Sequence, residues 1–194
     1  MNQETELKRA SDTRWNSHYQ SIVNLILLCS SVIVALDSIE DISSAERREV
    51  VLILEKMRTF EFAFSIHLMR NILGITSELS LTLQRKNQNI VNVMDFLKMS
   101  KQRFQEMRCD GWESFLTEIS SFSAQHNIEV PKMDDIFILT GRSRRNTQSF
   151  SNLHHYRYDL FNTVIDLQVQ ELNNHFTKAN IVTCVACLNL SGSF

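Results

Sequence analysis

Two cysteines near the C-terminus, Cys184 and Cys187, have the CxxC spacing found in many zinc sites and redox pairs. A structural zinc ion needs four ligands, and the nearest further candidates are His154, His155 and His175. A redox pair usually lies where a strand meets a helix N-terminus, and the surrounding sequence gives no sign of that arrangement. We therefore interpret both cysteines as buried, reduced and inert, and expect no metal ion or other cofactor in this chain.

Adjacent histidines and aspartates are the next candidates for chemistry. His154 and His155 would point about 100° apart on a helix and could not easily act on one atom, so we predict a helix start with partly exposed rings. Asp134 and Asp135 lie in a polar stretch, where neighbouring acids are normally solvated surface groups. The sequence contains no glycine-rich phosphate loop, GxSxG elbow or HExxH helix. We predict no catalytic residue in the chain.

A basic run at Arg142, Arg144 and Arg145 is the strongest candidate for contact with nucleic acid. Three close guanidinium groups in a polar segment can each contact a phosphate without demanding fixed geometry. The alternative is an ordinary surface loop, because aromatic residues between the arginines are sparse. The net charge of the whole chain, -2, favours neither interpretation.

The composition favours helices as the elements that position these residues. Only four glycines and one proline occur in 194 residues, which is few for a loop-rich enzyme. Apolar residues recur every three or four positions through much of the chain, as on one face of a helix. They are Val50, Leu54, Met57, Phe60, Phe64, Leu68, Ile72, Leu79, Leu83, Met94, Leu97, Phe104, Phe115, Ile119, Phe122, Phe161, Ile165 and Leu172.

We divide the chain into a main helical bundle over residues 1–126, a polar basic connector over 127–158, and a C-terminal helix with an apolar tail over 159–194. The apolar stretch from Ile22 to Leu36 is shorter than the roughly 20 residues that cross a bilayer, and we predict a helix buried on most faces. No secretion signal is recognisable, so we expect a nuclear or cytoplasmic location and no membrane partner. Gly74 is predicted to end or kink its helix.

Four strings resemble a known family. Residues 11–18 read Ser-Asp-Thr-Arg-Trp-Asn-Ser-His, similar to the segment of hAT-superfamily transposases that carries an Arg-Trp pair. Residues 152–157 read Asn-Leu-His-His-Tyr-Arg, and residues 166–176 read Asp-Leu-Gln-Val-Gln-Glu-Leu-Asn-Asn-His-Phe. With Cys-Leu-Asn at 187–189, these resemble plant proteins of the zinc finger MYM-type-like and TTF-type domain-containing family, which descend from hAT elements.

The resemblance implies an all-α fold, namely the multi-helix insertion domain of an RNase H-like transposase whose catalytic core is missing from this chain. The family's three metal-binding acids and its zinc finger would then lie outside residues 1–194. Arg14 and Trp15 match the Arg-Trp pair, and the indole would stack on distorted DNA for about 1 to 3 kcal/mol per base. The alternatives are a core or interface role for Trp15, and a surface pair of Arg14 with Asp12.

The sequence therefore predicts a non-catalytic helical fragment of a transposase-derived protein that handles DNA or associates with other subunits. The residues predicted to contact DNA are Arg14, Trp15, Arg142, Arg144 and Arg145, and no small-molecule substrate is expected. Two alternatives remain. The parent protein is an active DNA-cleaving transposase with its acids elsewhere, or the chain is a small helical protein-binding remnant with no retained role.

Overall fold

A computed structural model describes residues 15–39, 43–84, 90–138 and 150–176, without the side chains of Trp15, Asn16, Ser44 and Ile90. The described part is all-α, which confirms the predicted all-α class. Its helices are α1 (Trp15–Leu27), α2 (Cys29–Asp37), α3 (Ser44–Met57), α4 (Phe60–Leu83), α5 (Ile90–Asp110), α6 (Trp112–Gln125), a π-helical segment (His154–Asn162) and α7 (Thr163–His175). An isolated antiparallel bridge joins Ile136 to Ser151.

Helix α4 is the centre of the packing. It contacts α1, α5 and α6, and α5 in turn contacts α6 and α7. The apolar face that the sequence predicts for α4 is buried, including Phe60, Phe64, Leu68 and Ile72. Gly74 does not end this helix, which was one of the two predicted outcomes, because α4 continues to Leu83. The ring of Tyr19 from α1 lies 3.4 Å from the position a Cβ would take at Gly74, which is an ordinary van der Waals distance and leaves room for a methyl group.

Two polar caps separate α3 from its neighbours. Ser43 and Glu46 form a capping box, in which the Ser43 hydroxyl accepts from the Glu46 amide and the Glu46 carboxylate accepts from the Ser43 amide at 3.0 Å. The hydroxyl of Thr59 accepts from the amide of Phe62 at 3.2 Å and starts α4. The apolar rhythm continues across this junction, so periodicity alone did not predict the break.

The prediction of one buried helix over residues 22–36 is wrong. The helix breaks at Leu28, and α1 and α2 meet at an angle of 70°. Among the described side chains of these two helices, only Cys29 is fully buried, whereas Leu27 is 68% exposed and Val34 is 64% exposed. No single helix in the described ranges is both long and apolar enough to cross a membrane.

Helical backbone resumes at Asn152, inside the range that we assigned to the connector. The turns from His154 to Asn162 are π-helical, and the hydroxyl of Thr163 donates to the carbonyl of Tyr158, five residues earlier, at 2.9 Å. Such wide turns are rare and frequently lie at functional sites. The guanidinium of Arg108 makes a two-point ion pair with Asp166, which joins α5 to α7.

Candidate nucleic-acid interface

The basic segment, residues 139–149, lies outside the described part, but both of its flanks are held together. The amide of Phe137 donates to the carbonyl of Phe150 at 2.8 Å, and the amide of Asn152 donates to the carbonyl of Asp135 at 2.8 Å. The amide of Leu153 donates to the carbonyl of Met133, also at 2.8 Å. We call residues 133–138 and 150–153 the loop root. The chain therefore leaves and returns at one place.

The buried side chain of Asn152 stabilises the loop root. Only 8% of this residue is exposed, and its amide nitrogen Nδ2 donates to the carbonyl of Lys132 at 2.8 Å. Buried polar groups are stable when hydrogen-bonded in this way. The root is thus ordered by backbone and side-chain bonds together.

Aromatic rings cover the loop root. The rings of Phe137 and His155 stack with centroids 3.8 Å apart and planes 22° from parallel. Phe150 stacks on Phe137 from the other flank, with a centroid distance of 5.6 Å and an angle of 17°. Near-parallel rings at these distances attract each other beyond the burial of their area. The first turn of the π-helical segment is therefore fixed to the loop root by ring contacts.

The rings continue along the surface of the helix. His154 lies 5.7 Å from Phe150, and Tyr158 lies 5.5 Å from His154, measured between ring centroids. Tyr158 is 48% exposed and the His154 side chain is 54% exposed. We define the ring strip as Phe137, Phe150, His154, His155 and Tyr158. One end is held in the root and the other reaches solvent.

Tyr156 anchors this strip to the core. It is 6% exposed, and its ring centroid is 5.1 Å from those of Phe60 and Phe64 on α4. Burial raises the pKa of the Tyr156 phenol, and the nearby carboxylate of Glu61 raises it further, so the phenol is neutral at pH 7. Tyr156 has a packing role that holds its neighbours at the surface.

Arg157 is the described cation at the end of the strip. Its guanidinium carbon lies 5.6 Å from the ring centroid of Tyr158 and 5.8 Å from that of Trp112, within the range of cation–π attraction. Burial lowers the pKa of His155, against opposing effects of Asp159 and Glu61. His155 is therefore mainly neutral at pH 7, and Arg157 supplies the fixed positive charge.

Carboxylates also border this surface. Asp159 lies 3.5 Å from His154, between Oδ1 and Nε2, and Asp134 and Asp135 are exposed on the first flank of the loop root, as the sequence predicted. These acids weaken the attraction for phosphate at the root itself. The rings, rather than the net charge, are what distinguishes this surface.

The structure brings together residues other than those predicted to contact DNA. Arg14, Arg142, Arg144 and Arg145 lie outside the described ranges, and of Trp15 only the backbone at the start of α1 is described. The Cys184 and Cys187 pair also lies outside these ranges, whereas the further candidate ligands His154, His155 and His175 lie within them. His154 and His155 do begin a helical segment with partly exposed rings, as predicted.

Sequence reasoning missed the ring strip, although a signal was present. Phe150, His154 and Tyr158 are spaced by four residues, which places them on one helical face next to the basic segment. The stacking partner Phe137 is thirteen or more positions away and is brought close by the backbone bonds of the root. Aromatic residues are sparse within the arginine run, and the rings of the strip lie on its two flanks.

Among the described residues, no group of three or more His, Cys, Asp or Glu side chains is placed to hold a metal ion. Of the described cysteines, Cys29 is buried, where burial raises the pKa of its thiol, and Cys109 is exposed. In comparisons with known proteins, the chain matches no protein-family model, no curated protein and no solved structure.

Proposed function

We propose that this chain is a non-catalytic helical part of a hAT-like, transposase-derived nuclear protein, and that it handles DNA through the loop root and the basic segment. The observation that carries the DNA contact is the juxtaposition of exposed rings with the flanks of an arginine run. The Arg-Trp string at residues 14–15 and the all-α fold support the assignment to an insertion domain of an RNase H-like transposase.

Covalent geometry limits how far the arginines lie from the rings. Arg142 follows Phe137 by five residues and Arg145 precedes Phe150 by five residues. A chain spans at most about 3.6 Å per residue, so each Cα pair lies within about 18 Å. That distance corresponds to roughly five nucleotides at 3.4 Å each. A single strand of about five nucleotides can therefore contact both the arginines and the rings.

Arg14 and Trp15 are a second proposed contact, which rests on the family resemblance. In this proposal the indole stacks on a distorted base and the guanidinium pairs with a phosphate. We propose that the family's metal-binding acids belong to another part of the parent protein, and that this chain is not itself catalytic.

Subunit association is a second candidate function, supported by a different surface. Leu27, Val34 and Leu52 are 68%, 64% and 57% exposed, on α1, α2 and α3. Exposed apolar groups on neighbouring helices are typical of surfaces that associate. Light scattering of the DNA-free protein tests this function: a mass that rises with concentration supports it, and a constant monomer mass contradicts it.

The DNA proposal is tested by fluorescence anisotropy of the purified chain with a hairpin or branched DNA across a salt series. Replacing Arg142, Arg144 and Arg145 by Ala is expected to weaken binding and to lower the slope of log K against log salt by about 2 to 3, since each phosphate contact contributes about 0.7 to 0.9. Trp15→Ala tests the second contact in the same assay.

A matched control removes three exposed cations from α3, namely Arg47, Arg48 and Lys56. This variant has the same net charge as the loop variant and should bind DNA as the wild-type chain does. Equal losses in the two triple variants would show that only overall charge matters, and would contradict the proposed interface.

A further inference from the structure

We infer that the ring strip is a stacking platform for the unpaired bases of single-stranded DNA. This inference rests on the proposed function and names the form of DNA that the site prefers. The residues that carry it are His154 and Tyr158, whose rings lie 5.5 Å apart on one helical face and are about half exposed.

The chemistry of the strip suits base faces rather than base edges. Base–aromatic stacking tolerates any sequence because every base has a π face. In a duplex these faces are covered by neighbouring base pairs, and proteins reach phosphates and groove edges instead. The ring strip offers the half-exposed rings of His154 and Tyr158, and the guanidinium of Arg157 beside it already lies near two rings.

The exposed rings are also held in place before any ligand binds. His154 contacts Phe150 and Tyr158 contacts His154, while Tyr156 between them is fixed against Phe60 and Phe64. The amide of His154 donates to the hydroxyl of Ser151 at 3.2 Å, which ties the helix start to the root. A preorganised platform loses little conformational freedom when a base stacks on it.

The acids beside the platform predict how binding responds to charge. Asp134 and Asp135 are exposed on the root and repel the phosphates of a strand that crosses it. Changing both to Asn should therefore tighten binding of single-stranded DNA, most clearly at low salt. Unchanged or weaker binding would place the strand away from the root and would count against the platform.

The direct test uses fluorescein-labelled dT20, with the duplex dT20·dA20 as comparison, in an anisotropy titration of the full chain. The wild-type chain should bind dT20 more tightly than the duplex. The double change His154→Ala and Tyr158→Ala should weaken dT20 binding at least about fivefold, the equivalent of about 1 kcal/mol for one stacked base.

Two control variants separate stacking from loss of structure. Tyr158→Phe keeps the ring and should therefore bind dT20 more tightly than the double Ala variant. Leu81→Ala truncates an exposed side chain on α4, away from the strip, and should leave binding unchanged. Thermal unfolding followed by circular dichroism checks that each variant is folded.

The outcomes distinguish this inference from the proposed function. If the triple arginine variant loses DNA binding while the ring variant keeps it, DNA handling stands and the stacking platform is wrong. Equal binding to dT20 and to the duplex also overturns the platform. If neither DNA form binds, both proposals fail.

Discussion

His67 is a titratable side chain placed inside the apolar core. It is 2% exposed, and its Nδ1 donates to the carbonyl of Ala63 at 2.8 Å. Its ring packs edge-on against Phe122, 4.7 Å between centroids, and Phe122 in turn contacts His126. Burial is the main cause of a lowered His67 pKa, with Arg70 and His126 lowering it further and Glu118 and the Ala63 carbonyl raising it.

This lowered pKa predicts how stability depends on pH. Below the ordinary pKa of 6.5 the unfolded chain binds the His67 proton more readily than the folded chain, so the free energy of unfolding falls as the pH drops. Above 6.5 this contribution is constant. Urea unfolding between pH 5 and 7.5 should show a rising free energy up to about pH 6.5, and His67→Leu should reduce that slope.

His175 provides the control, because its side chain is 74% exposed on α7. The slope should survive in His175→Gln, and a smaller slope remains in His67→Leu since the His155 pKa is lowered in the same direction. An unchanged slope in His67→Leu would show that His67 is not buried in its neutral form.

The sequence did not predict the position of His67, although it predicted the apolar face around it. Phe64 and Leu68 lie on either side of His67 in the chain, and their spacing by four identified the buried stripe. Histidine is found both inside and outside proteins, so its residue type does not decide the question. The hydrogen bond to the carbonyl of Ala63 allows the ring to be buried, and that bond forms only in the folded helix.

At the scale of helices, the best predicted features were long amphipathic faces. The α4, α6 and α7 faces are buried as predicted, including Ile119 and Ile165. The failures were at junctions. Leu28 is neither glycine nor proline, so its residue type does not predict a helix break. The stretch around it is too apolar to show a single helical face. In the structure, α1 packs against α4 and α2 packs against α3. Tertiary packing rather than local sequence sets that break.

Gly111, between two helices, and Gly74, within α4, should respond oppositely to substitution by alanine. A Cβ at Gly111, between α5 and α6, would lie 2.4 Å from the carbonyl oxygen of Met107, so Gly111→Ala requires the junction to shift and should cost about 1 to 3 kcal/mol. A Cβ at Gly74 would meet only the Tyr19 ring at 3.4 Å. Gly74→Ala should therefore be neutral or stabilise α4 by up to about 1 kcal/mol.

Denaturant unfolding of both variants measures this difference directly. Each serves as the control for the other, since both add a single methyl group to a helical region. A loss of stability of the same size in both variants would contradict the difference in space between the tight junction at Gly111 and the looser contact at Gly74.

At the scale of the whole molecule, the all-α class followed from composition and periodicity, because few glycines and prolines interrupt the apolar pattern. The candidate interface could not be predicted from composition and periodicity. The arginine run is visible in the sequence, but Phe137 and His155 are 18 residues apart and meet only because the loop root closes. Family origin, DNA handling and the roles of Arg14 and Trp15 stay predictions.

We propose that DNA contacts the chain at the loop root and the ring strip. The most direct measurement is an NMR titration of the ¹⁵N-labelled chain with dT20, following backbone amide shifts residue by residue. If DNA binds at the loop root and the ring strip, the shifts should be concentrated at residues 136–138 and 150–158, with α3 unaffected. Shifts centred on α1 to α3, or none at the loop root when DNA is bound, would contradict it.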